Sequence, residues 1–349
     1  MLKIFITGES GTIPMAIQKI ASEYDCVIVN SQIEIDNFYA EYKKHQSFQV
    51  RKPEVDFLDK ELLLKIFTLV KGTKNEPDLI IHSGAFVGTD FCLSNESLAI
   101  RTNVEGTLNI VNICNQFKLP LIYFSTTAIM DPHDYNQYHP ISENTKICPQ
   151  TLYGITKYAG ELIVQNMCKI NKFIVRPVFG FGDYPDDLHS ALTKMIYVLY
   201  RNVIQKDSSL TILLDPNINK SYTRVENIAR CVLRLAHDIT SESLYSQHAM
   251  NIGVDYSKSK NWNEIKFIMC KIFEEKKICT KKEFNKIYLD KIMFKPQNDY
   301  LHYHNIENKQ LVSKNIDFEN EFGFIDLKEG MEQTIDSVIL NVEKEPYWL

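Results

Sequence analysis

The stretch LKIFITGESGTIPMAIQKI, residues 2–20, decides the fold. Leu2–Thr7 is an almost unbroken apolar run, which reads as a strand buried on both faces. Thr7-Gly8-Glu9-Ser10-Gly11-Thr12-Ile13-Pro14 follows where that strand ends, and the spacing of Ile13–Glu23 predicts a helix. Glycines at a strand-to-helix junction permit a tight turn and let backbone N–H groups meet a pyrophosphate at the helix N-terminus. A bare GxxG is weak; its place after the first strand of an alternating series gives it weight.

That series continues. Cys26–Asn30, Asp78–His82, Leu119–Ser125 and Phe173–Pro177 read as strands, while Lys60–Lys71, Ser94–Gln116 and Leu152–Asn171 read as helices. Apolar strands alternating with amphipathic helices predict a doubly wound parallel sheet of Rossmann type, an α/β fold. Beyond Gly180 the pattern loosens. Leu188–Arg201 and Asn227–His237 look helical, while Leu210–Leu214 and Met250–Gly253 are candidates to return to the sheet. The expected division is a dinucleotide-binding domain over 1–178, with returning segments at about 210–258. A smaller C-terminal substrate-binding region would take 179–209 and 259–349.

Composition narrows the function classes. Across 349 residues, 44% are hydrophobic and 24% charged, which is ordinary for a globular chain and disfavours disorder or coiled coil. A formal charge of -5 gives no reason to expect nucleic acid or an acidic membrane. The apolar runs are far shorter than a membrane span, and no cationic–apolar–small series announces a secretory signal. Eight cysteines without a CxxC pair predict reduced thiols, a cytoplasmic setting and no structural zinc. His133, Asp134 and His139 lie close in sequence, but DPHDYNQYHP reads as a substrate-facing loop, and no metal is expected.

The chemistry sits at Tyr153-Gly154-Ile155-Thr156-Lys157. Tyr153 and Lys157 are four apart, so a helix puts them on one face. A phenol with a pKa near ~10 is a poor acid or base at neutrality; an adjacent ammonium favours the phenolate and corrects that. The same lysine is placed to hold a ribose. Thr126, in Phe124-Ser125-Thr126-Thr127-Ala128, supplies a hydroxyl at the end of the preceding strand, with Ser125 and Thr127 as alternatives.

Taken together these segments resemble the extended short-chain dehydrogenase/reductase family, of the nucleotide-sugar epimerase/dehydratase type. The glycine turn resembles TGxxGxxG with Pro14 at the third glycine, a change that predicts a late or shifted helix start. YGITKYAGE resembles YGxSKxxxE, His82-Ser83-Gly84-Ala85 resembles HxAA, and Asn103-Val104-Glu105-Gly106-Thr107 resembles NVxGT. Arg176-Pro177-Val178-Phe179-Gly180-Phe181-Gly182 resembles RPxNVYG, and Ser221–Ala229 resembles FVxVxDxA. The likeness covers about the first 230 residues; the last hundred carry no recognisable motif.

The resemblance implies the site. Thr126, Tyr153 and Lys157 take the catalytic positions. Gly8, Ser10, Gly11, Thr12, Ile13, Asn30, Asp56, Phe57, Ser83, Gly84, Ala85 and Pro177, with Tyr153 and Lys157, take the cofactor positions. Thr126, Thr127, Phe179 and Arg224 take substrate positions. His82 and Asn103 are expected to be structural. Asn30, with no cation nearer than Lys43, favours NAD over NADP. The implied substrate is a nucleotide-activated sugar.

Thr127-Ala128 after the catalytic threonine lack the carboxylates of a 4,6-dehydratase. Phe179 and Asp131 suit a 4-keto-sugar reductase, whereas the length and the GFGDYPDD segment suit a 4-epimerase; the two stay balanced. A small-alcohol dehydrogenase and a non-catalytic regulatory subunit are the remaining alternatives. A homodimer is expected through helices 94–116 and 152–171, with Leu108, Val111 and Ile163 on the shared face.

Overall fold

The computed structural model describes residues 1–30, 56–130, 141–182, 190–204, 206, 211–214, 220–241, 249–253, 258, 260–294 and 324–341. Strands β1 (Leu2–Thr7), β2 (Cys26–Ile28), β3 (Leu79–His82), β4 (Leu121–Phe124), β5 (Lys172–Pro177) and β9 (Ala249–Ile252) form one sheet in the order β2-β1-β3-β4-β5-β9. The pairs β1–β2, β1–β3, β3–β4 and β4–β5 are all parallel. The strand order reverses at β1, with β2 on one side and β3 on the other, as the doubly wound Rossmann type requires. The residues of β3 and β4 are all buried, which is why these strands read as continuous apolar runs.

The helices of this part are α1 (Thr12–Ile20), α2 (Lys60–Val70), α3 (Thr89–Ser94), α4 (Glu96–Ile100), α5 (Gly106–Phe117) and α6 (Leu152–Met167). The long helix expected over 94–116 runs from Glu96 to Phe117 with helical backbone throughout. Asn95 leaves the helical region between α3 and α4, and Arg101–Glu105 forms a π-helical turn before α5. Gly160 of α6 explains the turn locally, since a β-carbon there would lie 3.0 Å from the Asn103 carbonyl oxygen. The π-turn widens the backbone where α6 passes closest. One apolar cluster, including Phe5, Leu63, Phe67, Ile110, Val111, Tyr123 and Ile174, fills the space between the sheet and α2, α5 and α6.

Contacts divide the chain into two units. The first is Met1–Ile129, Pro149–Arg176 and Ala229–Met250; the second is Met130–Cys148, Pro177–Ile228 and Asn251–Leu349. The second unit holds β6 (Gly180–Phe181), α7 (Ala191–Ile204), β7 (Ile212–Leu214), β8 (Thr223–Arg224), α9 (Trp262–Glu275), α10 (Lys281–Lys291), β10 (Ile292–Phe294) and α11 (Leu327–Asn341). Helix α8 (Val225–Thr240) runs from the second unit into the first. Leu192, Met195, Trp262, Phe273, Phe284 and Ile335 are among the side chains of its own core. The last hundred residues, which carry no motif, therefore supply a hydrophobic core. β7 does not return to the main sheet as expected; it pairs with β10 in a separate parallel pair. All eight cysteines are free thiols. Among the described residues no helix is long and apolar enough to cross a membrane.

Candidate active site

The first part of the site forms at the switch point of the sheet, where β1 and β3 end side by side. Gly8 has φ +66°, and a β-carbon on it would lie 2.6 Å from the Gly84 Cα, so only glycine fits. The Thr7 hydroxyl accepts from the Gly84 N–H at 3.0 Å, and the Ser83 hydroxyl donates to the Thr7 carbonyl at 2.6 Å. Gly11 N–H closes the turn on the Gly8 carbonyl at 3.0 Å. Helix α1 starts at Thr12 with Gly11 as N-cap and no side-chain cap. Pro14 does not delay it: proline at the third helical position sits among residues whose N–H groups have no partner inside the helix. A glycine turn, an uncapped helix N-terminus and a close strand approach fit the pyrophosphate of a dinucleotide, with Gly8, Ser10, Gly11, Thr12 and Ile13 around it.

Three neighbouring residues expected at the cofactor also have partners within the protein. Asn30 is buried and its amide brackets β1, accepting from Ile6 N–H at 2.8 Å and donating to the Ile6 carbonyl at 2.6 Å. It therefore acts as a strand tie that uses one lone pair and one N–H of its amide; Ser31 and Lys43 lie outside the described residues. Phe57 packs beneath Gly84 and Gly106, where β-carbons would meet its ring, and edge-on to His82 at 5.2 Å. Asp56 accepts from Leu58 N–H at 2.9 Å, a turn cap. His82, fully buried, bonds the Thr7 hydroxyl through Nδ1 at 2.7 Å and the Thr107 hydroxyl through Nε2 at 3.1 Å. Burial, then the nearby Lys157 charge, push its pKa down to about 3, so it is a neutral structural bridge. Asn103 joins Phe86 N–H (2.7 Å), the Phe86 carbonyl (3.0 Å) and the Thr156 hydroxyl (2.9 Å), tying the loop after β3 to α6.

The second part forms where β4 ends. The Thr151 hydroxyl caps α6 by accepting from Gly154 N–H at 3.1 Å. A β-carbon on Gly154 would meet the Ala128 carbonyl oxygen at 2.7 Å; this close approach sets Tyr153 beside the Thr126–Ala128 corner. Burial raises the Tyr153 hydroxyl to about 12, and a hydrogen bond with the Thr126 side chain pulls it back. The ammonium-lowered phenol expected from the sequence is thus not the resting condition. Lys157 instead bears the cost: only 2% exposed, it is pushed down to about 7 by burial, against the pull of Glu161 and then Cys92. Its Nζ lies 4.5 Å from the Tyr123 ring centre. Thr126 and Tyr153 are thereby joined by a hydrogen bond, Lys157 lies one helical turn after Tyr153 on α6, and Ser125 and Thr127 are both buried on either side of Thr126.

Two neighbours, Cys92 and Glu161, were given no role from the sequence. Cys92 on α3 is fully buried and interacts electrostatically with both Tyr153 and Lys157. Nothing in its spacing announced this. Glu161 follows Lys157 by one helical turn, and its carboxylate pairs with Arg176 of β5 through Nε at 3.1 Å and also through Nη2. Its i, i+4 spacing was a readable signal.

The remaining expected residues belong to the second unit. Pro177 and Phe179 are partly buried, and Lys220 places its Nζ 4.7 Å from the Phe179 ring centre. Arg224 is corrected: 1% exposed, it pairs with Glu226 at 2.8 Å and donates to the Gly330 carbonyl (2.9 Å) and the Thr334 hydroxyl (2.6 Å). Its donors serve the core, because an isolated guanidinium could not be buried there. Asp131, His133, Asp134 and His139, and Asp183–Asp187 of the GFGDYPDD segment, lie outside the described residues.

A family model described as the RmlD substrate binding domain matches residues 2–268. A putative UDP-glucose 4-epimerase of Methanocaldococcus jannaschii is 24% identical over 263 residues, 74% of this chain and 79% of the relative. Among solved structures, a UDP-glucose 4-epimerase of Thermotoga maritima holding UDP-glucose aligns with TM-score 0.70 at 17% identity, covering 98% of this chain and all of the other. A dTDP-4-dehydrorhamnose reductase of Bacillus anthracis in complex with NADP aligns with TM-score 0.64 at 17% identity, covering 99% and 100%.

Proposed function

The chain belongs to the RmlD substrate binding domain family, and from that premise we propose that it is a nicotinamide-dependent enzyme acting on a nucleotide-activated sugar, reducing a 4-keto group. The observation that supports this reading is the Thr126–Tyr153 hydrogen bond at the carboxyl end of β4, with Lys157 one helical turn after Tyr153, on the same sheet edge as the Gly8–Gly11 turn. The reduced cofactor supplies the hydride. Tyr153 donates its hydroxyl proton to the sugar carbonyl oxygen, Thr126 donates a hydrogen bond to the same oxygen, and Lys157 stabilises the phenolate that remains. Phe179, in place of a polar residue, is the substrate-side feature that suits reduction. A 4-epimerase is the second reading, favoured by the likeness to the putative UDP-glucose 4-epimerase of Methanocaldococcus jannaschii.

We assign NAD ahead of NADP because the sequence places no lysine or arginine between Asn30 and Lys43 to meet a 2′-phosphate. Titration with NADH and NADPH tests this, and an NADPH preference reverses it. The division into a cofactor domain over 1–178 and a substrate region is part of the same proposal. So is a homodimer. Phe91, Leu93, Ile100, Ile155, Leu162 and Met167, each at least 40% exposed, cluster on α3, the α4 end and α6. Val111 is in the core and does not contribute. A monomer in sedimentation at micromolar concentration removes the dimer.

The test of the chemistry is turnover with candidate 4-keto nucleotide sugars. Tyr153→Phe retains cofactor affinity and loses about 10²–10⁴ in turnover. Lys157→Met weakens both, and Thr126→Ala weakens turnover alone. Near-wild-type turnover by Tyr153→Phe overturns the assignment and favours the regulatory-subunit reading.

A further inference from the structure

We propose that Glu161 is a positioning residue that keeps Lys157 charged, with Arg176 holding its carboxylate in place. This rests on the reading of Lys157 above. Glu161 follows Lys157 by four residues on α6, so the two lie on one face. It is 0% exposed, and Arg176 on β5 is 4% exposed; Arg176 grips the carboxylate through Nε at 3.1 Å and through Nη2, while Gln165 donates to it at 3.2 Å. The carboxylate cannot rotate away. A buried ion pair is a weak source of stability beside apolar residues of the same volume, so stability alone does not explain a charge there.

The need for such a charge is visible in what surrounds Lys157. On its own helix it faces Tyr153 and Glu161. On α3 it faces Cys92, whose thiol burial raises to about 11, so this neighbour is neutral. On β4 it faces the Tyr123 ring, also neutral because burial raises that hydroxyl far above neutrality, and on β3 the neutral His82. Arg101 and Glu105 of the π-turn are exposed and pair with each other at 3.7 Å. Among these groups, Glu161 carries the negative charge that favours an ammonium, and it leads the groups raising the lysine against burial. Arg176 holds that carboxylate in place.

Two variants test this. Glu161→Gln with Arg176→Gln removes both charges and preserves amide hydrogen bonding, whereas Glu161→Gln alone leaves the Arg176 charge unopposed. The readout is the pH titration of the Lys157 Cε resonance in ε-¹³C-lysine-labelled protein without cofactor, assigned by its loss in Lys157→Met. The midpoint falls by about one pH unit or more in the double variant, and further in the single one. The alkaline limb of turnover moves in the same direction. An unshifted midpoint in either folded variant overturns the proposal, even if stability falls. The catalytic reading fails separately, if Tyr153→Phe keeps its turnover; the titration decides Glu161 in either case.

Discussion

Gly160→Ala gives a direct test of how Tyr123 and α6 are fitted together beneath Lys157. A β-carbon at Gly160 would overlap the Tyr123 hydroxyl and lie 3.1 Å from its Cζ and 3.0 Å from the Asn103 carbonyl oxygen. The hydroxyl cannot simply swing aside, because it donates to the Lys157 carbonyl at 3.1 Å. Alanine gains about 1 kcal/mol of helix propensity over glycine. Overpacking a rigid interior costs about 1–3 kcal/mol, and here the neighbours are a pinned hydroxyl and backbone. The expected net loss is therefore about 1–2 kcal/mol. Tyr123→Phe alone loses the hydroxyl's hydrogen bonds with the Lys157 carbonyl and the Thr107 side chain, about 1–2 kcal/mol. Combined, the two changes remove the worst overlap, so the double variant is more stable than the sum predicts by about 1 kcal/mol. Urea unfolding of the wild type, both singles and the double, followed by far-UV circular dichroism, measures this. Additivity within about 0.5 kcal/mol, or a stabilising Gly160→Ala, refutes the geometry.

Further outcomes follow from other parts of the fold. His82 is held at about 3 when folded against 6.5 when free, so the unfolded chain binds the extra proton between these values. Stability is intact above pH 6.5 and falls on acidification by up to about 1.4 kcal/mol per pH unit; His82→Gln flattens that part of the curve, and an unchanged slope contradicts it. Arg224→Met leaves Glu226 buried without its partner and costs about 3–5 kcal/mol, seen as a lower melting temperature. An unaltered melt with weaker substrate binding would return Arg224 to the substrate. Gly8→Ala forces a side chain into a left-handed φ, costing about 1–2 kcal/mol, and presses on Gly84. Drawn from cofactor binding, that is about tenfold in NADH affinity, read by fluorescence titration; unchanged affinity shows that the turn is not the pyrophosphate site.

What could be read from the sequence is what short-range spacing dictates. The apolar run of Leu2–Thr7 and the glycines after it specify a strand, a turn and a helix start within a dozen residues, and the alternating series repeats that logic into a parallel sheet. Tyr153 and Lys157 share a face because four residues nearly complete a helical turn, whatever surrounds them. Tertiary structure decided which long-range partner each polar side chain meets. Asn30 is a ribose candidate by position, and its amide also ties Ile6 of the adjacent strand. Arg224 is a substrate candidate by motif, but Glu226, Gly330 and Thr334 enclose its charge. The helix expected over 94–116 carries a π-turn where Gly160 brings α6 against the Asn103 carbonyl, and β7 leaves the main sheet because β10, some 80 residues later, offers it a parallel edge. The ionisation of the site was equally hidden. A lysine four residues after a tyrosine looks like a simple charge donor in the sequence, and burial turns it into a group that itself needs a carboxylate to stay charged.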